Sequence, residues 1–325
     1  MKKQDHRPYE ENAKEFQDTL LESRIDASNL TVKKASRHEW RNYTERMIHI
    51  VFLLLGLITV GCVLLITVYL IISGIPAIRE IGLINFLFGK EWESTASEPK
   101  YGILPFILTS VYGTAGAILI GVPIGFMTAV YLSKLASAKV KAVMQAAVSL
   151  LAGIPSVVYG LVGMLVLVPG IRTIFHVPDG ASLLAAIIVL AIMILPSIVK
   201  MSITALDAVP KDYEDASLAL GATPIETYFR VSVPAAKSGI AAAVVLGVGR
   251  AIGEAMAVMM VSGNVPNMPD SLFQSVRFLT TAVSSEMSYS SGLQRQALFS
   301  IALVLFLFIM LINATLNFFL KREKE

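Results

Sequence analysis

Asp215-Ala216-Ser217-Leu218-Ala219-Leu220-Gly221, then nine residues, then Val231-Ser232-Val233-Pro234: this stretch sits in a polar loop, 208–236, between two long apolar segments. Pro210 can open a first short helix, because its missing N–H is not needed at a helix start. Gly221 can close that helix in the left-handed conformation that glycine adopts without penalty. Thr223-Pro224-Ile225-Glu226 has the pattern of a capping box with proline at the first helical position. The loop is expected to be a rigid knob of two helices joined at a glycine. Such a shape suits a groove in a partner protein.

The flanks of the loop set the fold class. Hydrophobic residues make up 55% of the chain and charged residues 16%, and the mean hydropathy is +0.67. Soluble domains carry roughly a quarter charged residues, so this is the composition of a membrane protein. A net charge of +3 is too mild to argue for nucleic acid as a partner. The single cysteine, Cys62, lies in an apolar run, which excludes a disulfide framework. The histidines, His6, His38, His49 and His176, lack metal-ligand spacing. Residues 1–46 are polar and have no apolar core, unlike a cleavable signal peptide.

Six segments are long enough to cross a hydrocarbon core of about 30 Å. They lie near 47–73, 103–133, 142–169, 181–207, 237–262 and 297–320. The expected fold is all-α: a polytopic membrane domain over 47–320, an N-terminal segment 1–46 and a tail 321–325. The second, third and fifth spans are rich in glycine and alanine and are expected to pack closely on one another. The first and sixth, rich in leucine, isoleucine and phenylalanine, are expected to face lipid.

Orientation follows from the basic residues, which gather on the cytoplasmic side. Of 27 lysines and arginines, Arg79, Lys90, Lys100, Arg172, Arg277 and Arg295 fall on one side, and all the rest except Arg250 fall on the other. Both termini and the loop 208–236 are therefore expected in the cytoplasm. Loops 74–102, 170–180 and 263–296 are expected outside. Trp40, Tyr43 and Met47 can anchor an elbow helix at the inner surface. In the last outer loop Leu272, Val276, Leu279 and Val283 recur at helical spacing, which predicts a short amphipathic helix on the outer surface.

The opening stretch resembles the signature of the binding-protein-dependent ABC-importer permeases: Glu-Ala-Ala, three residues, Gly, nine residues, Ile-x-Leu-Pro. Asp215, Ser217, Val231 and Val233 depart from it, each mildly. Leu151-Ala152-Gly153-Ile154-Pro155-Ser156-Val157-Val158-Tyr159-Gly160 and Gly249-Arg250-Ala251-Ile252-Gly253-Glu254-Ala255-Met256-Ala257 look like segments of the phosphate-importing members. Of their two permease paralogues, the C-type is the more similar. The likeness covers roughly residues 47–320.

It implies a six-span type I importer permease in a bacterial or archaeal cytoplasmic membrane. It implies an A-type permease as heterodimer partner, two ATP-binding ATPase subunits and an extracytoplasmic phosphate-binding protein. It also implies that Glu214, Asp215, Ala216, Ser217, Gly221 and Pro234 belong to the surface that couples to the ATPase. The chain has no Gly-x4-Gly-Lys-Ser/Thr phosphate loop. ATP and its magnesium would therefore be held by the partner ATPase, with no cofactor and no catalysis in this chain.

Arg250 and Glu254 lie inside the fifth apolar run. Four residues apart on one helix, they would share a face with a rise of about 6 Å. Ionisable groups at bilayer depth cost roughly 2.5–3.5 kcal/mol each and usually face a polar interior. An arginine offers an oxyanion a charged planar fork of donors, and Glu254 could balance that charge in an empty path. A structural ion pair is the alternative. The neighbouring Gly249 and Gly253 have the spacing of a close helix–helix contact.

Pro123, Pro155 and Pro196 each favour a kink within a span. At Pro155, flanked by Gly153 and Ser156, a break could open a polar cavity. Arg250, Glu254, Ser156 and Pro155 are thus the candidate substrate path. Another oxyanion such as sulfate or molybdate, or a carrier driven by an ion gradient, remain as alternatives.

The charge distribution makes a topological prediction. Single cysteines replacing Ser94 or Ser288 in a Cys62→Ser background should react in intact cells with an impermeant thiol reagent. Cysteines at Lys139 or Thr227 should react only after lysis. Labelling of position 139 but not 94 in intact cells would refute the orientation.

Overall fold

The computed structural model describes residues 45–322. Trp40, Tyr43, the rest of the N-terminal segment before residue 45, and residues 323–325 lie outside them. The chain divides into two units, Met1–Thr67 and Val68–Glu325. The described part of the first is the start of helix α1 (Glu45–Ile81), where residues 45–66 are all exposed, apolar side chains included. Met47 belongs to this helix.

Within the second unit α1 ends and is followed by α2 (Leu83–Phe88) and a two-stranded antiparallel ribbon. The ribbon pairs β1 (Trp92–Glu93) with β2 (Lys100–Tyr101), Trp92 opposite Tyr101. Helix α3 (Leu104–Val130) runs on into a π turn, Tyr131–Leu135. Then come α4 (Ala138–Gly153), α5 (Ser156–Val162), a second π turn (Gly163–Leu167) and α6 (Val168–Phe175). Helix α7 (Leu183–Asp207) leads to the loop helices α8 (Lys211–Ala219) and α9 (Pro224–Thr227), a third π turn (Tyr228–Ser232) and α10 (Val233–Ala235). Helices α11 (Lys237–Gly253), α12 (Met256–Val261), α13 (Leu279–Glu286) and α14 (Gly292–Arg322) complete the order.

Among the described residues five helices are long and apolar enough to cross a membrane: Glu45–Ile81, Leu104–Leu135, Ser156–Phe175, Leu183–Asp207 and Gly292–Thr315. A bent pair, Pro224–Ala235 with Lys237–Gly253 at 71°, supplies a sixth. Two expected spans are therefore not single helices. The run 142–169 is divided at Ile154-Pro155, and the run 237–262 at Glu254-Ala255. The first falls at the proline expected to favour a kink, whereas nothing in the sequence marks the second, because hydropathy carries no information on dihedral angles.

Helix α7 is the hub. It packs most extensively on α3 and α11, and 67% of its most apolar stretch is buried. The packing matches isoleucines to glycines. A Cβ on Gly116 would lie 2.7 Å from Ile187, on Gly121 2.8 Å from Ile194, and on Gly125 2.9 Å from Ile198. From the other side, a Cβ on Gly247 of α11 would lie 3.2 Å from the same Ile198. Small residues let helices approach where lipid gives no hydrophobic drive. The glycine-rich second span thus packs closely as expected, but its main partner is the fourth span, rich in isoleucine, leucine and alanine. The segment Ser156–Phe175 is largely exposed instead.

At the opposite end of α3 from its π turn, Phe86, Trp92, Ile103 and Phe106 bury against Leu279, Leu298 and Ile301. Helix α1 crosses α14 where the Ser300 hydroxyl donates to the Gly74 carbonyl at 2.6 Å. The amphipathic helix expected over 272–283 is shorter and lies deeper. It begins at Leu279, and Leu279, Thr281 and Ala282 are buried. Val276 instead forms an isolated bridge to Gly263, and Leu272 is in the loop. The first turn of α13, Leu279–Ala282, is buried on every side, which the periodicity does not reveal.

Candidate functional site

In each broken span a side-chain hydroxyl takes up a backbone carbonyl at the break. Pro155 has no N–H for the Leu151 carbonyl. That oxygen accepts instead from the Ile154 N–H at 3.2 Å and from the Tyr159 hydroxyl at 2.7 Å. In the other span α11 stops at Gly253, and Glu254 turns into extended backbone. Its carbonyl accepts from the Thr280 hydroxyl at 2.7 Å, and its carboxylate accepts from the Ala257 N–H at 3.0 Å. Glu254 therefore caps the start of α12, as acidic side chains do at helix N-termini.

The halves beyond the breaks run side by side. A Cβ on Gly160 would lie 2.8 Å from the Ala257 backbone, and one on Gly163 2.8 Å from Val261. Gly160 lies about one turn into α5, which starts at Ser156, and Ala257 is the second residue of α12. The two breaks consequently share one level of the bundle.

Pro155, Ser156, Arg250 and Glu254 are thus brought to the same region, but not as a charged pair. Among the described residues no ion pair joins Arg250 to Glu254. Arg250, half-buried on the last turn of α11, donates to the Ser197 hydroxyl of α7 at 3.2 Å. The shared helix face fails because the helix ends between the two residues. Gly249 and Gly253 also differ from expectation: nothing among the described residues approaches within 4 Å of a Cβ at either position. They border open space beside Arg250. Ser156 is half-buried with no hydrogen-bond partner among the described residues, and Pro155 is exposed. Ser197, Tyr159 and Thr280 were missed from sequence. Lone hydroxyls in apolar runs give no signal until the fold places them.

The loop 208–236 is a knob in two pieces. Gly221 has φ +89°, beyond the reach of most side chains, and lies just after α8. Thr223 and Glu226 form the reciprocal capping box of α9. The backbone and hydroxyl of Thr223 both donate to Glu226 at 3.0 Å, which holds that carboxyl below its usual range. Asp215, Ala216, Gly221 and Pro234 are exposed. Ser217 turns inward and bonds Thr227 across the knob at 2.9 Å.

Glu214 also turns inward. It pairs with Lys134 of the first π turn at 2.5 Å, with side chains only 17% and 11% exposed, and accepts from the Ser232 hydroxyl at 2.8 Å. Burial opposes the Glu214 charge, but the bonds from Lys134 and Ser232 and the charges of Lys134 and Lys211 outweigh it. Its carboxyl sits below the usual range. Beside it Ser133 and Lys141 hold Asp207, at 2.5 and 3.1 Å. Around the exposed residues lie apolar side chains, Leu220 (90% exposed), Ile225 (60%) and Tyr213 (56%).

A second polar cluster closes the far end. Glu286 pairs with Arg277 and accepts from Trp92, Ser94 and Gln294, beside a cavity of about 590 Å³. It ties the ribbon, α13 and the start of α14 together.

Spans interrupted at one level, an arginine beside the interruption and a partner-shaped knob define a polytopic membrane transport subunit. Residues 121–324 match the family described as "Binding-protein-dependent transport system inner membrane component", and the chain belongs to that family. It is 41% identical over 266 residues to the probable ABC transporter permease protein YqgH of Bacillus subtilis, covering 79% of this chain and 86% of that protein. It is 34% identical over 278 residues to the phosphate transport system permease protein PstC of Haemophilus influenzae, covering 79% and 84%. Its fold matches a chain of a bacterial alginate ABC transporter with a TM-score of 0.55 at 15% identity, over 82% of this chain and 92% of that one. A chain of the MetNI methionine ABC transporter gives 0.51 at 21% identity, over 68% and 94%. The fold is that of an ABC-importer permease.

The Glu214 contacts make a pH prediction. A depressed carboxyl pKa adds stability that is fully present above the unfolded value, about 4.3, and is lost as pH falls through the lower folded value. Glu214→Gln should cost about 1–3 kcal/mol at neutral pH by leaving Lys134 without its charged partner. The melting-temperature gap between wild type and variant in detergent should hold above about pH 5 and narrow progressively as pH falls below about 4.3. A gap that stays constant as pH falls would contradict the assignment.

Proposed function

We propose that this chain is a membrane-spanning subunit of an ATP-driven importer of inorganic phosphate. The knob carries the reading. Its capped helices hold Asp215, Ala216 and Gly221 outward among exposed Tyr213, Leu220 and Ile225. An apolar surface of this kind on a polar loop calls for a protein partner. The partner is an ATPase subunit in the cytoplasm, and it supplies the ATP site. An A-type permease completes the membrane unit, and an extracytoplasmic phosphate-binding protein delivers the anion at the end closed by Glu286. Phosphate is favoured over other oxyanions by the likeness to the phosphate permease of Haemophilus influenzae.

The coupling route runs along the chain. The second half of the knob leads through α10 into α11, a rod of 17 residues, about 25 Å long, with Arg250 on its last turn. Movement of the knob by the ATPase therefore moves Arg250 relative to Ser197. The guanidinium contacts phosphate in the low-dielectric path, and its fork matches a tetrahedral oxyanion better than an ammonium does. Glu254 keeps the break open by capping α12.

Two variants test the reading in cells carrying the complete importer. Arg250→Gln should assemble normally but take up labelled phosphate at least tenfold more slowly, with Arg250→Lys also impaired. Gly221→Arg should lose ATP-driven uptake while remaining in the membrane. It forces a side chain into positive φ, at a cost of about 1–2 kcal/mol, and projects it into the docking face. Normal uptake by Gly221→Arg would reject the docking surface. Normal uptake by Arg250→Gln would reject the phosphate contact.

A further inference from the structure

We propose that Lys200, with Gln145 and Ser149, forms a second oxyanion site on the path, between Arg250 and the knob. The proposal rests on Arg250 being a phosphate contact and extends that path by one station. Most of α7 is buried, yet Ser197 is half-buried and Lys200 and Thr204 are exposed. Their spacing of three and four residues makes one stripe along the helix. Arg250 is bonded to Ser197, so its guanidinium lies on that stripe. Lys200 lies three residues beyond Ser197, a rise of about 4.5 Å toward the knob.

A cavity of about 290 Å³ opens at this level between α4 and α7. Lys200, Gln145, Ser149 and Thr204 line it, over a floor that includes Val148 and Ile203. The Thr204 hydroxyl gives its proton to the Lys200 carbonyl at 3.0 Å, so it shapes the rim and does not donate to a ligand. Gln145 and Ser149 have no side-chain partner among the described residues and remain available as donors. No ion pair among the described residues involves Lys200. The nearest acid along α7, Asp207, is held by Lys141 and Ser133.

A transport path needs such a station. Two unit charges 4 Å apart attract by about 4 kcal/mol at an effective dielectric constant of 20. An anion held by Arg250 alone would leave slowly. A second cation one turn away divides the exit into smaller steps, the multi-site arrangement that lets ions both bind and leave. An ammonium binds phosphate as a point charge without a demanding geometry, which suits a transfer site more than a selective one.

The experiment measures uptake of labelled inorganic phosphate by cells carrying the complete importer, alongside the yield of purified complex. Lys200→Gln should lower uptake at least tenfold at normal yield, and Lys200→Arg should retain half or more. Ser149→Asp keeps the lysine but puts a carboxylate into the cavity. It should lower uptake by a similar factor, and it decides the matter if Lys200→Gln does not assemble. A lysine that only reaches for the membrane surface would tolerate both changes. Normal uptake by Lys200→Gln beside a dead Arg250→Gln would overturn the second site and leave the Arg250 reading intact. Normal uptake by both would overturn the path itself. A lipid headgroup phosphate in the cavity would show as normal uptake with less lipid phosphorus in purified Lys200→Gln complex, and that result also overturns the proposal.

Discussion

Ile198 stands between two glycines. Gly125 of α3 and Gly247 of α11 each leave out the Cβ that would collide with it, at 2.9 and 3.2 Å. Lipid tails are as apolar as isoleucine, so burial alone cannot hold these helices together, and close van der Waals fit must. The fit repeats along α7 at Ile187 and Ile194. The position of Ser197, and hence of the Arg250 side chain bonded to it, depends on this packing. So does the direction of the knob, because α7 and α11 enter and leave it.

The second constraint is that no backbone group in a bilayer can go unpartnered. A span can be interrupted only where side chains take over the freed bonds. Tyr159 does this at Leu151, and Thr280 at Glu254. Glu254 adds the cap on Ala257. One acidic residue thus has a structural duty that keeps it away from Arg250, and among the described residues the arginine is left with a hydroxyl partner, Ser197. On the proposed path this matters, because an arginine outside any ion pair needs no carboxylate displaced before an anion binds.

Much of this could be read in the sequence, for physical reasons specific to each part. The knob was legible because its signals are local: Pro210, Gly221 and the Thr223–Glu226 box specify dihedral angles within a few residues. The number of spans was legible from apolar length. The break at Ile154-Pro155 was announced by the proline, but the one at Glu254 was not, since no proline marks it and Arg250 and Glu254 have the spacing of one continuous helix face. Gly249 and Gly253 have the spacing of a packing motif, yet the motif describes only one side of a contact, and the described residues offer no second side. Glu214 reads as an outward acid beside Asp215, and only the distant Lys134 turns it inward. The hub role of α7 was hidden because isoleucine, leucine and alanine look the same whether they face lipid or glycine.

Three π turns interrupt the regular winding, at Tyr131–Leu135, Gly163–Leu167 and Tyr228–Ser232. Each accommodates one residue more than an α turn requires. The surplus shifts the angular phase of the next helical residues, by about 100° per residue. In the first of them neighbours in sequence, Ser133 and Lys134, reach different elements, Asp207 and Glu214. The third joins the knob to α10 and carries Ser232, the other partner of Glu214. Two of the three thus lie where the membrane bundle meets the knob. The compass bearing of the knob is therefore fixed by a residue count. A deletion or insertion of one position in either of these turns would rotate one set of fastenings away from Glu214 by more than a quarter turn, with every helix still intact.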